Sequence, residues 1–247
     1  MPRALQEWTV LPHGHLTQLA DNILTVTGDL HMPVGDFPRR MTVVRLRDRR
    51  LVIYSAIALG EIEMRAIERF GLPAFLVVPG DLHRMDAKIW KDRYPDLRVV
   101  APSGARAKVE KVVHVDATSV DFGDPNVSLV EVRGTGGHEA ALIVKTRMGT
   151  NLVVNDIIAN MPDRRGFGGW LLRLVGFTGS GPRVPRIVKR KIVDDPLAMR
   201  SQLERWASLT PLRRIIVSHG TPIEREPQRA LRRIATSLGH GRGHQHV

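Results

Sequence analysis

The sequence predicts an α/β fold, a four-layer αββα sandwich in which two sheets pack face to face with helices outside. Two observations carry that prediction. Short apolar runs followed by helical stretches occur twice along the 247 residues. The polar residues able to do chemistry stand at the ends of those runs, where loops present side chains. A chain of this length can bury a sizeable core. With aromatics at only 5%, that core must be mostly aliphatic. The organisation expected is one domain over residues 1–238 and a flexible His-rich tail over 239–247.

The first half opens on ILTVTGDL, MTVVRL and LVIYSA, between Asn22 and Ala56. The last two flank the charged turn RDRR, and β-branched runs around a short polar loop predict a hairpin. From about Gly60 to Phe70, the residues Ile62, Ala66, Ile67 and Phe70 make an apolar stripe at helical spacing, and Gly71 stops it. AFLVVPG reads as a buried strand. A helix over about Ala87 to Arg93 ends at Tyr94-Pro95, because proline disfavours helix in the residue before it. RVVAPSG returns as a strand. The second half begins again with KVVHVD, VSLVEV, ALIVKT and NLVVND as strands. Helices then run until RRIIVS, the last strand, and a closing helix spans about Arg225 to Leu238. GFGGWLLRLVGF is glycine-rich and apolar; its WLLRLV core suits a short helix that is a lid or dimer contact, or else another core helix.

Composition narrows the chemistry. Cysteine is absent, which excludes disulfides and thiolate ligands, so any metal site must use histidine and carboxylates. The net charge is +12. Its arginine clusters, such as Arg39-Arg40 and Arg186 to Lys191, lack the interleaved aromatics of a nucleic-acid surface. Arginine-rich codon usage accounts for them, with attraction to nucleic acid, anionic substrates or an anionic membrane surface as the alternative. The N-terminus lacks the apolar core of a secretory signal. No apolar stretch approaches the roughly 20 residues of a membrane span. The expected location is the cytoplasm. Phosphate-binding loops of the Walker or Rossmann type and a nucleophile elbow are missing from the sequence.

The candidate site residues are His83 and Asp86 in VVPGDLHRMDA, His138 in GTGGHEAALIV, Asp156 in NLVVND and His219 in IIVSHG. Imidazole and carboxylate are the ligands expected of a zinc, manganese or iron site. An unpaired carboxylate at the end of an apolar strand is costly to bury, so Asp156 calls for a cation, an arginine or a helix N-terminus. Gly220 after His219 permits a sharp turn. Asp81 is a spare carboxylate, and Glu139 either orients an imidazole or is exposed. His31 is expected to face solvent, and His13, His15 and His114 have no supporting context.

In this order, the His-x-x-Asp, Gly-His, Asn-Asp and Ser-His-Gly signals resemble the metal motifs of the metallo-β-lactamase superfamily. The resemblance runs from about Asn22 to Leu238. PRRMTVVRLRDRRLVIYSAIAL (Pro38 to Leu59) looks like that superfamily's opening hairpin leading into the first helix. PRRMTVVRL, HRMDA, RYPD, VVAPSGARAK and NDIIANMP are similar to an uncharacterised branch with a degenerate first metal motif. Full dinuclear members carry His-x-His-x-Asp-His where this chain reads GDLHRMDA. The resemblance therefore implies a reduced, mononuclear site for one divalent metal, zinc, drawn from His83, Asp86, His138, Asp156 and His219. It implies a hydrolase-like enzyme acting on an unknown small molecule, with Asp86 or Asp81 moving the proton. The alternative is a metal-free, inactive binding or scaffold protein of the same fold, contacting anionic partners through its basic surface.

Overall fold

A computed structural model describes residues 3–32 and 35–238; the His-rich segment 239–247 lies outside the described residues. The first sheet follows chain order: β1 (Thr17–Ala20), β2 (Ile23–Met32), β3 (Gly35–Arg45), β4 (Arg50–Tyr54), β5 (Leu72–Val77) and β6 (Arg98–Val100). Its pairing is antiparallel as far as β4. It turns parallel for β5 and β6, because α1 (Glu61–Phe70) and α2 (Ala87–Arg93) supply the crossovers that parallel neighbours need. After α3 (Arg106–Val109), the second sheet is built from β7 (Val127–Glu131), β8 (Ala140–Thr146), β9 (Gly149–Asn160) and β10 (Leu212–Gly220), in the order β10-β9-β8-β7. The connection between β9 and β10 holds α4 (Gly166–Val175), α5 (Arg186–Lys191) and α6 (Pro196–Ala207), and those two strands pair in parallel. The last helix, α7 (Pro227–Leu238), follows β10.

Three apolar cores separate four layers. Strand residues alternate between faces, so Val43, Leu51 and Ile53 point outward onto Met64, Ile67 and Trp90 of the first helical layer. Their neighbours Val44, Val52 and Tyr54 point inward and meet Leu142, Val144, Val153 and Ile216 of the second sheet. The far face of that sheet packs Leu152, Val154, Ile215 and Val217 on Met199, Leu203 and Trp206 of α6 and on Leu231 and Ile234 of α7. β9 is covered on both sides, which is why its sequence reads as a continuous apolar run. The expected αββα sandwich is the observed fold.

Local departures have physical reasons. KVVHVD is not a strand. Val113 and Val115 are buried in the outer core, which reproduces a strand's alternation, but the backbone makes no ladder. Instead Asp116 Oδ2 accepts the Val99 N–H at 2.7 Å, and a single bridge joins Val100 to Ala117. WLLRLV does form a helix, α4, yet it is not a core helix: Gly169 and Leu172 are buried while Phe167, Trp170 and Leu174 face outward.

Candidate metal centre

The site forms where the inner ends of both sheets meet. β5 runs out through Val78 and Pro79 to Gly80, where a Cβ would lie 2.3 Å from Glu139 Oε1 and would push that side chain aside. The chain then reaches His83. In the second sheet the parallel register jumps from Val217↔Val154 to His219↔Ala159, so β9 bulges over Asn155 to Ile158. A bulge re-aims side chains, and this one places Asp156 in the site. His219 is the penultimate residue of β10, and Gly220, the last, has φ +103; a Cβ there would lie 2.0 Å from Asn160 O.

These three residues converge. His219 Nε2 lies 2.9 Å from Asp156 Oδ1 and 3.2 Å from His83 Nε2, and His83 Nε2 lies 3.4 Å from the same carboxylate oxygen. Among the described residues they are the one group of three side chains placed to share a metal ion. Their outer atoms are already committed. His219 Nδ1 donates to the Pro38 carbonyl at 2.7 Å. A carbonyl only accepts, so in the neutral ring Nε2 carries a lone pair rather than a proton. His83 Nδ1 lies 2.7 Å from Ser55 Oγ, and donation there leaves a second lone pair on Nε2.

Electrostatics point the same way. Burial pushes the His83 imidazole below its ordinary value, favouring the neutral ring. Burial alone would raise the Asp156 carboxyl, but His83 and His219 overcome it and hold the group below the usual carboxylate range. Positive charge at this point, carried as protons on the imidazoles or as a metal ion, is what keeps the Asp156 carboxylate ionised, so a cation fits between the three side chains. Asp156 Oδ2 is also buried without a partner. Two imidazole nitrogens and a carboxylate are a donor set that fits one zinc ion with an open position. Phe37 and Phe177 wall the site, with ring centroids 4.5 and 5.5 Å from that of His219.

Two of the five expected ligands stand elsewhere. Asp86 is fully buried, but its carboxylate is taken up by the Arg39 guanidinium and by the Ala58 N–H at 2.9 Å. That arrangement satisfies the charge internally and leaves no open oxygen for proton transfer. His138 is partly exposed, and its Nδ1 lies 3.1 Å from Asp81 Oδ1. The other Asp81 oxygen accepts from Lys108 Nζ, so an ammonium group balances that carboxylate. Glu139 is buried rather than exposed. It accepts from Asn155 Nδ2 at 3.2 Å, and burial, with the charge of Asp156 adding to it, pushes its carboxyl well above the usual range. His31 is exposed on β2.

Sequence reading missed Ser55, Arg39 and Lys108. Each acts across 27 to 47 residues, and no local pattern marks such a pairing. The usable signal was the apolar runs that lead toward His83, Asp156 and His219, although Asp156 stands inside β9 rather than at its end.

No family model matches the chain, and no curated protein matches it in sequence. Solved structures do match in shape. The metallo-β-lactamase of Hirschia baltica superposes with a TM-score of 0.60 at 12% identity, over 91% of this chain and 98% of that one. The metallo-β-lactamase FIM-1 of Pseudomonas aeruginosa, solved in a mono-zinc form, gives 0.61 at 11% identity, over 94% and 98%. VMB-1 gives 0.62 at 14% identity, over 94% and 100%. The chain has the metallo-β-lactamase fold.

Proposed function

We propose that the protein is a metal-dependent hydrolase of small molecules, holding one divalent ion, zinc, between His83, Asp156 and His219. One observation carries this reading: the three donor atoms converge with both outer imidazole nitrogens already engaged. When bound, zinc supplies a Lewis acid and a water whose pKa falls to about 7. The protein's own groups do the rest. Pro38 O and Ser55 Oγ orient the two imidazoles, as partners behind metal-bound histidines do. Phe37 and Phe177 exclude water from one side of the site. We assign proton transfer to His138, whose Nδ1 faces Asp81 Oδ1 at 3.1 Å, the pairing of base and orienting carboxylate that general catalysis uses. Lys108 offsets the charge of Asp81. The lack of cysteine suits a reducing compartment, and we assign the protein to the cytoplasm.

The test is turnover of chromogenic ester, phosphodiester and β-lactam substrates by metal-stripped and zinc-reconstituted protein. Turnover of at least one substrate that disappears on stripping and returns with zinc is expected. His138→Gln should keep the zinc and lower turnover by roughly 100-fold or more. Zinc-independent turnover, or a zinc-loaded protein inert across all three classes, would favour the scaffold alternative.

A further inference from the structure

Among the described residues, the apolar face of α4 is the largest group of exposed hydrophobic side chains that the site does not use. Phe167, Trp170 and Leu174 are 74%, 57% and 53% exposed. Their spacing of three and four residues sets them on one side of the helix. The Phe167 and Trp170 rings stack on each other, 5.7 Å between centroids, so the pair is a formed feature of the surface. Monomeric proteins seldom leave such a patch open unless it binds something. Charge identifies what. Residues 163–191 carry eight Lys or Arg against a single Asp. Arg165 just before α4, Arg173 on it, and Arg186, Arg190 and Lys191 on α5 are all exposed.

We propose that this face docks onto an anionic lipid surface, with α4 lying in the plane of the interface. Aromatic and leucine side chains set among arginines are the composition of helices that lie at the headgroup boundary, and anionic headgroups attract basic residues beside them. Among the described residues no helix is long and apolar enough to cross a membrane, so contact is from the surface. A second copy of the chain is the poorer occupant, because a two-fold contact would set the same basic rim against itself. A nucleic acid would answer the charge but not Leu174. The docking face leads into the site: Phe177, just past the end of α4, packs edge-on against His219. Docking would therefore bring the Phe177 wall of the site close to lipid, although the lipid contact stands whether or not the site binds metal.

The experiment is co-sedimentation of the full chain with vesicles of pure phosphatidylcholine and of equal parts phosphatidylcholine and phosphatidylglycerol, at low and high salt. Binding to the anionic vesicles, at least tenfold weaker on the neutral ones and reduced by salt, is the expected result. A Phe167→Ser, Trp170→Ser, Leu174→Ser triple variant should lose that binding with an unchanged circular dichroism melt. A separate Arg173→Glu, Arg190→Glu variant, which leaves the apolar stripe alone, should lose it too. Equal binding to both vesicle types overturns the proposal, as does undiminished binding by both variants. Two other results overturn it as well, provided lipid binding is absent: a wild-type dimer that the triple variant splits, or an oligonucleotide complex that the variants abolish.

Discussion

Ser55 Oγ sits 2.7 Å from His83 Nδ1, and Ser55 reaches it from a left-handed backbone with φ +58. A serine held there stores strain of about 1–3 kcal/mol, and such strain concentrates at functional sites. Ser55→Ala should fold normally and bind zinc about 10–100-fold more weakly, the usual loss when the partner behind a metal-bound histidine is removed. Ser55→Gly should bind zinc as weakly as the alanine variant while melting no lower than it. Competition with a chromophoric chelator measures both; wild-type affinity in both variants would remove Ser55 from the site.

The Arg39–Asp86 pair predicts a separation of stability from metal binding. Asp86 is enclosed with the Arg39 guanidinium, and Arg39 Nε already lacks a partner. Removing the carboxylate leaves a buried charge uncompensated, which costs about 3–5 kcal/mol. Asp86→Ala should lose that much in denaturant unfolding yet retain wild-type zinc stoichiometry under folding conditions. A stable Asp86→Ala protein without zinc would restore Asp86 as a ligand.

Gly220 couples the backbone to His219 before it. A Cβ at φ +103 would lie 2.0 Å from Asn160 O, so Gly220→Ala must move the end of β10. The expected cost is more than about 1 kcal/mol, together with weaker zinc binding because His219 shifts. Calorimetric titration of zinc into the folded variant reads the second effect separately from the first.

The exposed α4 face yields a control on folding. Trp170→Ala removes a side chain that is more than half exposed, and surface substitutions of this kind stay within about 0.5 kcal/mol. A sharp, unchanged unfolding transition is expected. A large loss of stability would mean that the helix contributes to the core after all.

Much of the fold could be read from sequence because the buried strands announce themselves locally. NLVVND and RRIIVS are apolar runs that lie wholly within β9 and β10, and LVIYSA covers most of β4 before running on through Ser55 and Ala56. The candidate site was readable only in part: His219 follows such a run, whereas His83 stands in the loop beyond β5 and Asp156 lies within β9 rather than at its end. Asp86 and His138 looked equivalent by the same criterion. What separates them is tertiary, an arginine 47 residues upstream for Asp86 and a neighbouring carboxylate with its lysine for His138. The bulge that aims Asp156 is equally invisible, since it arises from pairing between β9 and a strand some sixty residues later. KVVHVD misled because a turn docked on a core buries alternate valines just as a strand does.

The central claim is that one metal is held by His83, Asp156 and His219 and by no other set. Elemental analysis of protein stripped with chelator, reloaded with zinc and desalted tests it most directly. One zinc per chain is expected in the wild type and in His138→Ala, and essentially none in Asp156→Ala or His219→Ala proteins that retain the wild-type circular dichroism spectrum. Two zinc ions per chain, or full loading in folded Asp156→Ala and His219→Ala, would contradict it.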